Sequence, residues 1–386
     1  MAGRRRRIRP AMADMLRAVR APALAIVLAG ALAALVAGCG TAASASGASD
    51  VAARSAGEPS ATISETGSTL LYPLAKTWAA AYHQHDPGVT VTTAGTGSGK
   101  GISAASAGTA DIGASDAFLS SGDLVKNPAL VNIPLVVSAQ TIIYNLPDLG
   151  AGVHVHLNGT VLAGMYDGTI TTWSDPAIAK LNPGVTLPPA KVVPIHRSDS
   201  SGDTFLFSSY LSTQDPRQWG NSIGYGTTVR WPSVATAKAE DGSVNMLAAC
   251  DASPGCVAYN GISYLSGARA DGLGEAELAN SVGQFTLPDA ASIQDAIASF
   301  VSLTPPNETI SMINGPSPAG YPIVNYEYAV VSTKQPSAAK ASEIKAFLRW
   351  LLTTGNQASY LSTVGFQPLP GQVVTLGEQQ ISEITG

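Results

Sequence analysis

From Ala61 onward, runs with the pattern of a strand alternate with runs with the pattern of a helix. Val89–Thr93, Ile133–Asn145, Lys191–Ile195 and Ile323–Ser332 read as extended. Leu71–His85, Gly101–Ala107, Thr204–Leu211, Ser292–Leu303 and Ser337–Leu352 read as helical. Such alternation predicts an α/β fold in which helices cover a mostly parallel sheet. About 325 residues exceed what one hydrophobic core usually serves, so two lobes are expected. Ile133–Asn145 and Ile323–Ser332 are the long apolar runs able to cross between them. That gives a discontinuous first lobe, 61–142 plus 323–386, and a second lobe, 143–322. A ligand cleft would lie between lobes joined by two crossing strands. The chain has no internal repeat.

The first 60 residues read differently. Met1–Arg20 is strongly basic and is followed by an apolar run, Ala21–Val36, too short for a typical membrane span. Val36-Ala37-Gly38-Cys39 resembles a bacterial lipobox, which predicts a signal peptide over 1–38 and a palmitate-type lipid anchor on Cys39. Residues 39–60, rich in Ala, Ser and Gly, read as a flexible tether. Without residues 1–38 the chain keeps 15 Lys and Arg against 26 Asp and Glu, a net charge of −11. An acidic chain with no basic run excludes nucleic acid as a natural partner. Any anion site must therefore act through local dipoles and hydrogen bonds.

Of the three Cys, Cys250 and Cys256 flank Asp-Ala-Ser-Pro-Gly, a turn sequence able to bring them together. In a secreted chain this predicts a disulfide.

Three Gly/Ser/Thr-rich loops lead into helices: Glu65–Thr69, Gly95–Gly101 and Ser198–Thr204. A helix start leaves backbone N–H groups unpaired and carries partial positive charge, so it can hold an anion. Ser, Thr and Asp are also the commonest N-caps, so each loop taken alone reads first as a cap. Together they point to several helix ends converging on one small, multiply charged oxyanion.

Rival chemistries find less support. Gly95–Gly101 superficially suggests a nucleotide P-loop, but Ala94 stands at the first Gly and Gly101 at the Mg²⁺-binding hydroxyl. No G-x-S-x-G elbow surrounds Ser98 or Ser201. His83/His85 and His154/His156 form H-x-H pairs without nearby Cys or carboxylate partners, so no metal site is expected. His196 is expected to point away from the functional face of its strand.

The charged residues beside the loops are harder to dismiss. Asp116 follows Ile112-Gly113-Ala114-Ser115, an apolar strand end, and Asp203 falls in the first turn of a helix. Capping and dipole complementation are their plain readings. Arg197 leads into the third loop, where its planar fork could grip two oxygens of an anion. Asp199 would orient or neutralise that fork.

Gly67-Ser68-Thr69-Leu70-Leu71-Tyr72-Pro73, Gly95–Gly99, Ile112–Asp116 and Arg197-Ser198-Asp199-Ser200-Ser201-Gly202-Asp203-Thr204-Phe205 together resemble the phosphate-binding lipoproteins (PstS family) of the bacterial Pst ABC phosphate importer. The likeness runs in order from about Ala61 to Pro370. It implies the type II periplasmic-binding-protein fold, closing on a dehydrated phosphate. It also implies phosphate contacts from the backbone N–H and hydroxyl groups of Ser68, Thr69 and Leu70, from the Ser98 hydroxyl, and from Asp116. Arg197 would supply charge, held by Asp199, and Ser201, Gly202 and Asp203 would bind at a helix start. Two departures stand out: Ser200 where the family usually has Gly, and Asp203 where some members have Thr.

Phosphate still carries a proton at neutral pH, so Asp116 can accept a hydrogen bond from it. Sulfate has none to give and would meet an anion–anion clash. The resemblance implies an extracytoplasmic, membrane-anchored receptor that delivers inorganic phosphate to the permease and ATPase subunits of an importer. Such a receptor needs no cofactor and no metal, does no covalent chemistry and is expected to be monomeric. A receptor for sulfate or molybdate is the alternative within binding proteins, and a secreted phosphatase the alternative outside them.

Overall fold

The computed structural model describes residues 61–386 with the exception of Ala151. The predicted signal peptide, Cys39 and the tether lie outside the described residues. No helix among the described residues is long and apolar enough to cross a membrane.

The chain begins with strand–helix–strand steps. β1 (Ala61–Gly67) pairs in parallel with β2 (Val89–Gly95) and with β3 (Ile112–Ser115). The connecting helices are α1 (Tyr72–His85) and α2 (Ser98–Ala107). Pro73 stands in the first turn of α1, where its missing N–H costs nothing, and the helix stops before Asp86-Pro87. Its buried stripe, Leu74, Trp78 and Tyr82, recurs every fourth residue. The Tyr82 ring lies 4.8 Å from Phe347 and 5.4 Å from Trp350, both on the helix Ala338–Leu352. Burying an aromatic ring of this kind is worth about 2–3 kcal/mol.

β4 (Leu130–Tyr144) is an almost unbroken apolar run, as expected of a strand covered on both faces. A second parallel set follows: β5 (Val193–Arg197) lies between β6 (Lys238–Glu240) and β7 (Cys256–Gly261). β8 (Val324–Ser332) completes a sheet of order β2-β1-β3-β8-β4-β7-β5-β6, with the short strand Gly274–Glu275 also paired to β4. A second, three-stranded sheet joins His156–Leu157, Glu277–Ala279 and Phe285–Thr286.

The expectation of a mostly parallel sheet is corrected. The sheet is parallel towards its two ends and antiparallel at its centre, where β8 meets β3 and β4, and β4 meets β7. The end sets come from strand–helix–strand steps, which enforce parallel pairing. β4 and β8 carry the chain in opposite directions, so they pair antiparallel. β4 pairs with β8 over Leu130–Ala139 and with β7 over Gln140–Tyr144, so one strand serves both halves of the sheet. The chain returns beside it at Ile323, whose carbonyl accepts the Gln140 N–H at 3.0 Å.

A bulge interrupts the β4–β8 ladder. Glu327 faces Val136 and Tyr328 faces Pro134, which leaves Leu135 unmatched. Pro134 has no N–H to give the ladder, and bulges re-aim neighbouring side chains.

Two helices begin earlier than the sequence suggests. α2 starts at Ser98 instead of Gly101, and α3 spans Gly202–Gln214 instead of starting at Thr204. First-turn N–H groups need no intrahelical partner, so Ser and Gly there cost little. The single helix expected over Ser292–Leu303 is instead a helix Ala290–Ala298 and a separate 3₁₀ turn Val301–Leu303. Asp289 and Ser292 close a capping box at its start. Cys250 and Cys256 are joined by a disulfide across the Ser253–Gly255 turn, where Gly255 has a φ of +85°.

Candidate functional site

The ends of β1, β3 and β5 and the starts of α1, α2 and α3 meet at one buried point. Gly67 makes this possible in the first half of the sheet. Its φ is +145°, and a Cβ there would lie 2.0 Å from the Ala114 carbonyl oxygen. The chain can therefore turn tightly from β1 into Ser68. The Ser68 hydroxyl is hydrogen-bonded to the Asp116 carboxyl group and itself accepts the Leu71 N–H at 2.9 Å. Ser98, at the start of α2, closes a small ring with Asp116. Its hydroxyl lies 3.2 Å from the carboxylate and accepts the Asp116 N–H at 3.2 Å.

The second half supplies the cation. Arg197, at the end of β5, is 2% exposed. Its Nε and Nη2 donate in parallel to the two oxygens of Asp199, at 2.6 and 2.5 Å. Nη1 reaches Asp203 at 2.8 Å and the Thr69 hydroxyl at 3.1 Å. Asp203 also accepts from Ser243 at 3.0 Å and Gln140 at 3.1 Å. α3 is capped by the Ser201 hydroxyl, which accepts the Thr204 N–H.

The two halves touch directly. The Gly99 N–H donates to the Ser200 carbonyl at 3.1 Å. A Cβ on Gly97 would lie 2.6 Å from Asp199 Oδ2. Thr69 shares a 2.7 Å hydrogen bond with Ser243. Outside this point, Phe118 and Phe205 meet edge-on at 5.3 Å.

One guanidinium serves four carboxyl groups in this region and pairs directly with only two of them, Asp199 and Asp203. Burial lifts the Asp116 carboxyl well above its ordinary range, and the charge of Glu327 lifts it further; Ser68 and Arg197 only partly offset this. Burial, then the charge of Asp116, brings Asp203 up to about 6 against the pull of Arg197. Glu327 is raised by burial, with the hydrogen bonds from Asp116, Ser138 and Asn325 opposing. Burial would also raise Asp199, but the bonds and charge of Arg197 hold it below its ordinary value. Arg197 stays charged despite burial because Asp199 and Asp203 grip it.

The contacts bring together Ser68, Thr69, Ser98, Asp116, Arg197, Asp199, Ser201 and Asp203, and Gly202 stands against the Asp116 carboxyl group. Leu70 follows Thr69 in the chain, and its carbonyl accepts from the Ser263 hydroxyl. Their free groups differ from those expected. The Ser68 N–H is spent on the Ala114 carbonyl at 2.9 Å, and the Ser201 N–H on the Thr227 carbonyl at 2.8 Å, so neither N–H is left for an anion. The N–H groups of Thr69 and Leu70 have no hydrogen-bond partner among the described residues. Ser200 keeps a negative φ, so Gly is not required there; Glu308 and Asn314 are the positive-φ residues other than Gly among the described residues. His196 stacks on Trp231 at 4.7 Å. His83 and His154 reach the backbone carbonyls of Val89 and Glu275, and His156 pairs with Glu277. No group of three or more His, Cys, Asp or Glu able to hold a metal occurs among the described residues.

Sequence reasoning missed Glu327, Ser138, Gln140, Ser243 and Asn325. Only Glu327 carried a signal: a charged residue inside an apolar strand is either paired or functional.

A family model described as a PBP superfamily domain matches residues 52–354. The phosphate-binding protein PstS of Methanocaldococcus jannaschii is 33% identical over 346 residues, covering 83% of this chain and 86% of that protein. That of Pasteurella multocida is 31% identical, covering 81% and 88%. The chain belongs to the PstS family of phosphate-binding proteins. A periplasmic phosphate-binding protein solved with bound phosphate (PfluDING) superposes with a TM-score of 0.66 at 21% identity, over 84% of this chain and 99% of that one. This likeness shows the fold, two-lobed and α/β, as the curled mixed sheet also does.

Proposed function

We propose that this protein captures inorganic phosphate outside the cytoplasm and hands it to the permease of an ABC importer. It is a substrate-binding protein and catalyses no reaction. The observation that carries the reading is the convergence of Ser68, Ser98 and Asp116 from one side with Arg197, Gly202 and Asp203 from the other, all buried. The family membership supports the same ligand.

In this reading the Ser68, Thr69, Ser98 and Ser201 hydroxyls and the N–H groups of Thr69, Leu70, Gly202 and Asp203 bind the phosphate oxygens. Arg197 turns its fork towards the anion while Asp199 holds it, and Asp116 accepts a hydrogen bond from a P–OH group. A site with a required hydrogen bond rejects an analogue lacking it by roughly 10⁴–10⁵. Sulfate is such an analogue. The lobes divide as 61–142 plus 323–386 and 143–322, and β4 and the return at Ile323 are the hinge strands. Cys39 anchors the receptor to the membrane, and a monomer serves the docking on permease and ATPase subunits.

Calorimetry on the protein with phosphate and sulfate tests this, with Asp116→Asn as the control variant. Tight phosphate binding, no measurable sulfate binding and a large loss in the variant are expected. Equal affinity for both anions would sink the discrimination, and turnover of a phosphomonoester would replace the receptor with a phosphatase.

A further inference from the structure

Glu327 belongs to no loop of the site, yet it is wired to its centre. It is fully buried on β8, beside the bulge at Leu135. Its Oε1 lies 2.6 Å from the Ser138 hydroxyl and 2.8 Å from the Asn325 side-chain N–H group. Its Oε2 lies 3.3 Å from the Ser68 hydroxyl oxygen, which is also hydrogen-bonded to Asp116. One hydroxyl thus bridges two buried carboxyl groups. Arg197 acts on Asp116 and Asp203 on Glu327. The Tyr264 and Tyr328 hydroxyls, which burial keeps neutral, are coupled to Asp116 and Glu327 respectively. Arg197 is already engaged by Asp199 and Asp203. Two carboxylates this close, without a cation of their own, titrate as a unit and hold a proton between them.

We propose that Asp116 and Glu327 share one proton and that Ser68 relays it, so that an arriving phosphate drives the proton from Asp116 to Glu327. The inference rests on the phosphate reading of this site. In the free protein Asp116 carries the proton, and Ser138 and Asn325 stabilise the Glu327 carboxylate. On binding, the Asp116 O–H bond breaks and its proton passes to Ser68 Oγ. The Ser68 hydroxyl proton passes at the same time to Glu327 Oε2. Ser68 ends as it began, and no charge is created or lost. Asp116 is now a carboxylate able to accept from P–OH. Glu327 is a neutral acid that adds no negative charge beside the anion. Glu327 is a positioning residue for that proton and does not touch the ligand.

The relay keeps the proton inside the protein, which gives it a readout that a packing role would not move. Phosphate affinity in the wild type should follow only the titration of phosphate itself on the acid side. In Glu327→Gln, Asp116 must release its proton to solvent, so affinity should fall by up to about tenfold more per pH unit as pH drops. Calorimetry in buffers of different ionisation heat should show up to about one extra proton released by the variant. Superimposable pH profiles and equal proton release would overturn the relay.

Infrared difference spectra of the wild type, phosphate-bound minus free, give a test that needs no variant. An Asp carboxyl C=O band should be lost and a Glu band gained, and only the gained band should move in protein grown with ¹³C-labelled Glu. Phosphate binding without these bands overturns the relay alone. A wild type that binds no phosphate at any pH overturns the functional reading and the relay with it.

Discussion

Gly202 stands against the Asp116 carboxylate so closely that a Cβ there would lie 2.3 Å from Oδ2. One residue begins α3, and the other follows β3 on the opposite side of the site. Their contact sets the Asp116 carboxylate beside a helix N-terminus, and only a residue without a side chain permits it.

Gly202→Ala should therefore damage binding more than folding. The methyl group forces the Asp116 carboxylate away from the helix start. Phosphate affinity measured by calorimetry should fall at least about tenfold, a cost of about 1.4 kcal/mol. An unchanged affinity would mean that the two sides meet differently.

Arg197→Met should be costly even without ligand. It leaves the buried Asp203 and the half-buried Asp199 without their shared cation. Removing one partner of a buried ion pair costs about 3–5 kcal/mol. Urea unfolding of the ligand-free protein checks this, and phosphate binding should be abolished.

The pH dependence of stability follows from acids that burial holds protonated. Asp203 is raised to about 6, Glu65 to about 7 and Glu308 to about 9, each chiefly by burial. In this window the unfolded chain has released protons that the folded chain still binds. Stability from these groups is complete below their unfolded values near 4 and is lost as pH rises through 6, 7 and 9. The lowered Asp199 acts oppositely, but only as pH falls below about 4. The thermal midpoint without phosphate should thus decline from pH 5 to pH 9.

Glu308 offers a local check on that decline. Both of its carboxyl oxygens are buried without partners, and its backbone is left-handed, with φ at +56°. Glu308→Gly relieves both. It should stabilise the protein by about 1 kcal/mol through the backbone alone, with a gain that grows towards pH 9. A variant less stable than wild type at every pH would refute this.

Asp203→Thr should change how affinity depends on pH. Asp203 adds a carboxylate to the site once it ionises, near pH 6. The wild type should lose affinity more steeply than the variant as pH rises from 5 to about 7 and in parallel with it above, and calorimetry from pH 5 to 9 compares the slopes. Coincident slopes would remove Asp203 from ligand discrimination.

Much of the site was legible because caps and turns are local. A Ser or Gly at a helix start acts through its own neighbours, so the loops at Ser68, Ser98 and Ser201 announce themselves in order along the chain. Arg197 and Asp199 lie two residues apart, and their bidentate pairing needs no knowledge of the rest of the fold. The turn between Cys250 and Cys256 is equally local. The long apolar runs marked β4 and β8 for the same reason: a buried strand needs no solvent face.

Glu327 was decided by the tertiary structure. Its aim at Ser68 depends on the antiparallel register of β8 against β4 and on a bulge where Pro134 cannot donate to the ladder. Register is set by pairing between residues nearly two hundred positions apart, as Ser138 and Glu327 are. The same holds for the mixed sheet, because strand direction follows from how the chain returns from the second half. The sequence alone determined which groups could hold an anion; only long-range pairing decided that a fourth acid, Glu327, stands behind Asp116, Asp199 and Asp203.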